Sequence, residues 1–221
     1  MAAATGTEVA DATTADVIVV CTPSNPTGHT IPAETIARWC EQHPASLIVV
    51  DEAYAEFSQE PSAAGLLDQF PNLAVLRTFS KALALADLRL GYLLAHPRVV
   101  EVFPRVRVPW QPSGFAQAAG LLALDYLDEV AATVALVVRE RQRMYDALRV
   151  LPGVRVRPSQ ANFLCFATAR PSGGIRRGLL DYGVAVRDVS GLAHLPGHLR
   201  VTVGSPADNR TFVAALGKVL A

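Results

Sequence analysis

The chain has 221 residues, enough for one large domain or two smaller ones. Hydrophobic residues make up 51% and charged residues 18%, a globular composition that excludes disorder. Twenty basic and twenty acidic residues cancel to a formal charge of zero, so nothing in the balance points to nucleic acid or an anionic membrane as partner.

Residues 1–16, "MAAATGTEVADATTAD", have neither a positive n-region nor an apolar core, and read as a loose leader without an export signal. Val17–Val20 is a β-branched run that ends at the turn cluster "CTPSNPTG". Thr30 and Pro32 then announce a helix with Ile36, Trp39 and Cys40 on one face. Further apolar runs follow at Leu47–Val50, ending at Asp51, at Leu73–Leu76 and at Leu90–Ala95. Continuous apolar strands between helical or irregular stretches predict an α/β fold over residues 17–110, a mostly parallel sheet with helices on both faces.

The stretch "VPWQP", near Pro109–Pro112, breaks that pattern and marks a predicted boundary. Residues 111–221 read as a small α+β domain. Ser113 caps a predicted helix to about Tyr126, and a long helix from about Glu129 to Arg149 is stopped by Leu151-Pro-Gly153. Short strands are expected around Val154–Val156, in "NFLCF" at 162–166, in "VAVRD" at 184–188 and in "LRVTVG" at 199–204, before a last helix from Ala207 to Leu220. The longest apolar patch, Val130–Val138, lies between Glu129 and Arg139 and is far short of the roughly 18 residues of a membrane span. Cys21, Cys40 and Cys165 are scattered and odd in number, which suits free thiols in a reducing cytoplasm. The five histidines show no ligand spacing, so no metal site is expected.

Four short stretches carry the chemistry: "SNPTG" at 24–28, "DEAY" at 51–54, "TFSKAL" at 78–83 and "LRLGY" at 88–92. Each lies at the end of a predicted strand or at the start of one, and open α/β sheets gather ligands outside the carboxyl ends of their strands. Asn25, Asp51 and Lys81 can therefore converge although they are far apart in sequence. Taken singly, each has a plain structural reading: a turn, a strand-end cap, a solvated cation.

Together, at this spacing, they make the chain resemble the fold-type I pyridoxal-phosphate aminotransferases, and among them the histidinol-phosphate aminotransferases. The downstream "PSQANFLCF", "VAVRD" and "LRVTVGSPADN" resemble that family's small domain, so the likeness covers nearly everything after residue 16. It implies pyridoxal 5'-phosphate as cofactor, Lys81 as its covalent anchor and proton shuttle, and Asp51 as the partner of the pyridine nitrogen. Asn25 and Tyr54 would bind the ring's phenolic oxygen, while Arg89, Thr78 and Ser80 would bind the phosphate. Arg200, and Arg187 thirteen residues before it in "VAVRD", would face an anionic group of the substrate.

The implied activity is transfer of an amino group from histidinol phosphate, or a related amino acid, to a 2-oxo acid in histidine biosynthesis, by a cytoplasmic homodimer. Two alternatives stay open: a threonine-phosphate decarboxylase, which shares the cofactor residues, and a non-catalytic remnant of the fold. Two departures bear on this. Relatives carry glycines in the loop between lysine and arginine where this chain has Ala84 and Asp87, and Asp87 could pair with Arg89. Family members also carry a long portion before the "NPTG" strand. Its absence here implies a partial large domain with an open sheet edge, and weak cofactor binding by the chain alone.

Overall fold

A computed structural model describes residues 15–102, 105 and 112–221. The predicted boundary stretch at 109–112 lies outside these residues except for Pro112, and the predicted leader lies outside them except for its last two positions. The chain forms two compact units. Among the described residues, one contains 15–23 and 30–133, and the other 24–29 and 134–221.

The first unit is built on four strands in the order β1 (Val17–Cys21), β2 (Leu47–Asp51), β3 (Leu73–Thr78) and β4 (Gly91–Ala95). β1, β2 and β3 are parallel; β4 is antiparallel to β3. Period-two alternation sends Ile18, Val20, Ile48, Val50, Leu73 and Val75 to one face, where Ile36 and Cys40 of helix α1 (Ala33–Gln42) cover them. On the other face Val17 and Val19 are exposed. α1 ends because His43 precedes Pro44, which biases it out of the helical region. The side-chain amide of Asn72 then donates to the carbonyls of Cys40 and His43, tying the helix end to the start of β3. A short helix α2 (Pro97–Val100) follows β4, and α3 (Gly114–Ala123) starts where expected, with the Ser113 hydroxyl accepting from the Ala116 amide at 3.1 Å. The first turns of α4 (Leu127–Arg149) complete this unit.

The second unit holds the rest of α4 and an antiparallel sheet in the order β5 (Val154–Val156), β6 (Phe163–Thr168), β8 (His198–Thr202) and β7 (Arg187–Asp188). β6 is buried along its whole length. Its core gathers Met144 and Leu148 of α4, Ile175 and Leu179 of α5 (Ser172–Leu180), and Phe212 and Leu216 of α6 (Pro206–Leu220), with Leu164, Phe166, Leu199 and Val201 from the sheet. α6 starts with a full capping box: the Ser205 hydroxyl accepts from the Asp208 amide, and the Asp208 carboxylate accepts from the Ser205 amide. A mainly parallel α/β sheet with helices, followed by a small α+β unit, is the fold class expected from the sequence. Helix α5 was not expected. Its glycines at 173, 174 and 178 have low helix propensity, yet Ile175 and Leu179, four residues apart and both buried, carry the helical signal. The strand predicted in "VAVRD" shrinks to Arg187–Asp188.

Glu140 is the most buried acid of the second unit. Its carboxylate accepts from the Asn209 side-chain amide at 3.0 Å and from Arg143 at 2.6 Å. The Asn209 amide, with help from Arg143, holds it below its ordinary value of 4.5 despite burial. A depressed carboxylate contributes stability above its unfolded value and loses that contribution as pH falls through the folded one. Glu140→Gln is therefore less stable than the parent at pH 7, and the gap narrows as pH drops below the ordinary carboxylate range. Paired urea melts at pH 7 and pH 3 measure this; a gap independent of pH would contradict it.

Candidate active site

The ends of two strands of the first unit, β2 and β3, place most of its predicted site residues. Asp51 is the last residue of β2; its backbone carbonyl accepts from Thr22 at 2.9 Å, and its Oδ1 accepts from the Ala53 amide at 3.0 Å, which turns the chain sharply after the strand. That turn delivers Tyr54, which is 6% exposed, to the start of a 3₁₀ turn at Ala55–Phe57. Thr78 closes β3. Its hydroxyl donates to the Leu90 carbonyl at 3.3 Å and accepts from the Ser80 amide at 3.1 Å, which shapes the loop leading to Lys81. Lys81 is exposed, with Nζ 5.4 Å from the centroid of the Tyr54 ring.

Asp51, Thr78, Ser80, Lys81 and Arg89 line one open cleft of about 510 Å³, within the range of small-molecule sites. Five groups placed separately in the sequence thus share one cavity. Arg77, Gly91 and Tyr92 are also part of its wall. Sequence reasoning missed Arg77, although its place one residue before the Thr78–Lys81 loop was a signal.

The loop between Lys81 and Arg89 answers the question raised by its missing glycines. Ala84 takes φ +58° and Arg89 φ +51°, both in the left-handed region; Asp87 lies in a 3₁₀ turn at Ala86–Leu88 and does not. Asp87 forms no ion pair with Arg89, whose guanidinium donates to the Ala86 carbonyl at 2.9 Å. An L-residue in this region is strained by about 1–2 kcal/mol, partly offset in glycine by greater unfolded-state freedom. Ala84→Gly is accordingly expected to raise stability by up to about 1 kcal/mol, or about 2–4 °C in melting temperature for a chain of this size. A thermal melt that moves down contradicts the strain.

Asn25, Arg187 and Arg200 belong to the second unit. Arg200 donates from a terminal guanidinium nitrogen to Asn25 Oδ1 at 2.5 Å, and its guanidinium carbon lies 4.9 Å from the Phe163 ring centroid. Its Nε is buried without a hydrogen-bond partner among the described residues. Arg187 is the register partner of Arg200 across the β7–β8 ladder, so both project from the same face. Like charges directly opposite each other are destabilising unless an anion bridges them. The turn after Arg187 is fixed by Asp188, whose carboxylate accepts from the Ser190 hydroxyl and from the Ser190 amide at 2.9 Å. These bonds hold it below the usual range.

Cys165, on β6 opposite Arg200, is fully buried, and burial pushes its thiol up to about 11. Cys40 is raised to about 11 by burial too. Neither is a thiolate nucleophile at neutral pH. No group of three or more potential metal ligands forms among the described residues.

The family model for aminotransferase class I and II matches residues 3–216. The chain belongs to the class I and II aminotransferases. It is 46% identical over 199 residues to a histidinol-phosphate aminotransferase of Nocardia farcinica, a match covering 90% of this chain and 50% of that one. A crystal structure of histidinol-phosphate aminotransferase from Sinorhizobium meliloti, in complex with pyridoxal-5'-phosphate, superposes with a TM-score of 0.83 at 29% identity, covering 93% of this chain and 57% of that one. The L-threonine-O-3-phosphate decarboxylase of Porphyromonas gingivalis superposes equally well, with a TM-score of 0.83 at 27% identity over 96% of this chain and 66% of that one. The chain spans about half the length of the curated relatives it matches.

Proposed function

We propose that this aminotransferase-family chain carries the lysine-bearing part of a pyridoxal-phosphate site, and that the protein transfers the amino group of histidinol phosphate, or of a related amino acid, to a 2-oxo acid. The observation that carries the reading is the shared cleft, in which Lys81, Asp51, Thr78, Ser80 and Arg89 meet. The donor set fits the cofactor: a primary amine for the aldehyde, a carboxylate for the ring nitrogen, and hydroxyls with a guanidinium for the phosphate.

The bound cofactor would act as an electron sink for the carbon that loses its proton. Lys81 Nζ would supply the primary amine that holds the cofactor and, when free, a base able to take up and return a proton. Asp51, held by the turn bond to Ala53, would pair its carboxylate with the protonated ring nitrogen. Tyr54 and Asn25 would each be a partner for the phenolic oxygen. Thr78, Ser80 and Arg89 would hold the phosphate. Arg200 and Arg187, opposed on one face, take an anionic end of the substrate, which relieves their mutual repulsion.

The threonine-phosphate decarboxylase likeness supports a second reading with the same lysine and aspartate. One assay separates the two. The protein is incubated with pyridoxal phosphate and 2-oxoglutarate, and given either histidinol phosphate or threonine phosphate. Glutamate formed only with histidinol phosphate supports the transaminase; carbon dioxide released from threonine phosphate supports the decarboxylase; neither product overturns both. A cytoplasmic homodimer is part of the proposal. Leu121, Leu122 and Phe115 of α3 are exposed, an apolar patch of the kind that a second subunit covers, and no described helix is long and apolar enough to cross a membrane.

A further inference from the structure

A charged cluster lies beside the cleft, and the chemistry proposed above does not use it. Glu52 is only 2% exposed, yet it is ionisable and follows Asp51 directly. Its Oε1 accepts from the Ala63 amide at 2.7 Å; its Oε2 accepts from the Ser62 hydroxyl at 2.7 Å and from Arg77 Nε at 2.8 Å. Arg77 donates from its two terminal nitrogens to Glu56 Oε1 at 2.9 Å and to Ser62 at 3.0 Å. Burial opposes the guanidinium charge, but Glu52 and Glu56 hold it above its ordinary value.

The nitrogens of the Arg77 fork thus reach three partners, Glu52, Ser62 and Glu56, and the terminal nitrogen on Ser62 also lies 2.8 Å from Glu52 Oε2. The partners come from both ends of the segment that carries Asp51 and Tyr54: Glu52 lies between those two residues, and Glu56 just after them. Arg77 itself precedes Thr78, the residue that shapes the lysine loop. The register continues from Asp51 opposite Leu76 to Glu52 beside Arg77, where the Glu52 amide donates to the Leu76 carbonyl at 2.9 Å.

We propose that Arg77, through Glu52 and Glu56, is a positioning residue that locks the Asp51–Phe57 turn onto the end of β3 and so fixes Asp51 and Tyr54 relative to Lys81. A surface ion pair would need only charge. This clasp needs the planar fork, because three directed bonds leave one guanidinium at once, a geometry lysine cannot supply. A paired buried charge is weak evidence of stabilisation in itself, and specification of one geometry is the better use of it.

The consequence for catalysis rests on the proposed function; the structural claim does not. The test is Arg77→Lys, compared with the parent by hydrogen exchange in cofactor-free protein and by steady-state kinetics with cofactor and substrate present. Exchange of the Ala53, Ala55 and Phe57 amides, which bond to Asp51, Glu52 and Tyr54, rises about tenfold or more, while Ile48–Val50 in the middle of β2 stay as protected as in the parent. In the kinetics, kcat falls about tenfold to a hundredfold with KM changed less than about threefold, the pattern of a displaced catalytic group. A folded Arg77→Lys protein with parental exchange at Ala53–Phe57 overturns the proposal. If Arg77→Lys does not fold, Glu56→Ala, which releases a single arm of the fork, is held to the same exchange criterion. Raised exchange in a protein whose parent never attaches the cofactor leaves the clasp standing and refutes the proposed function instead.

Discussion

On the proposed function, Lys81→Ala is expected to lower amino-transfer turnover by about three to four orders of magnitude and to remove the visible absorption band that arises when cofactor joins a lysine. Two losses combine in this one change. The amine that holds the cofactor is gone, and so is the group that carries a proton between two carbon atoms, a contribution of about 10²–10⁴ by itself. The fold should not suffer, because Lys81 is exposed and its described contact is with the Tyr54 ring. An exposed cation over a ring contributes only about 0.5–1 kcal/mol. Loss of activity with an unchanged melting temperature therefore reads as chemistry. Added methylamine, which can replace the missing amine in solution, should recover part of the turnover. Near-parental turnover in Lys81→Ala contradicts the assignment.

Asp51→Ala gives the second large effect and a different signature. Cofactor still attaches to Lys81, so the absorption band persists, but turnover falls by about two to three orders of magnitude, the usual loss when a positioned charge facing developing charge is removed. A pyridine nitrogen without its carboxylate partner stays neutral and draws electrons less. The side chain also makes the turn bond to the Ala53 amide. Asp51→Asn keeps an acceptor for that bond but removes the charge, and so separates the two contributions. If Asp51→Asn restores turnover, the residue serves the turn; if it remains as poor as Asp51→Ala, the charge is what matters.

Much of this site was legible in the sequence, for a physical reason. Lys81, Asp51 and Thr78 sit at the ends of β-branched or leucine-rich runs whose strand character is plain, and parallel strands bring their carboxyl ends together. The fold class followed from the same runs. What escaped was carried by tertiary contacts. Arg77 and Glu52 stand 25 residues apart in sequence, and only the parallel register of β2 and β3 makes them neighbours. Helix α5 was hidden by three glycines, whose low helix propensity is overridden by burial of Ile175 and Leu179. The opposition of Arg187 and Arg200 depends on an antiparallel register that no local pattern announces. The left-handed φ of Ala84 runs the other way: the sequence suggested that a loop preferring glycine had lost it, and the backbone shows the residue held where glycine would rest most easily.

The central claim is that Lys81 forms a covalent bond to the cofactor. The direct measurement is to incubate the purified protein with pyridoxal phosphate, reduce it with borohydride, digest it and map the modified peptide by mass. The account predicts the cofactor mass on the peptide containing Lys81, and no adduct in Lys81→Ala. An adduct on Lys218 alone, the other lysine of the chain, with Lys81 unmodified, would contradict it.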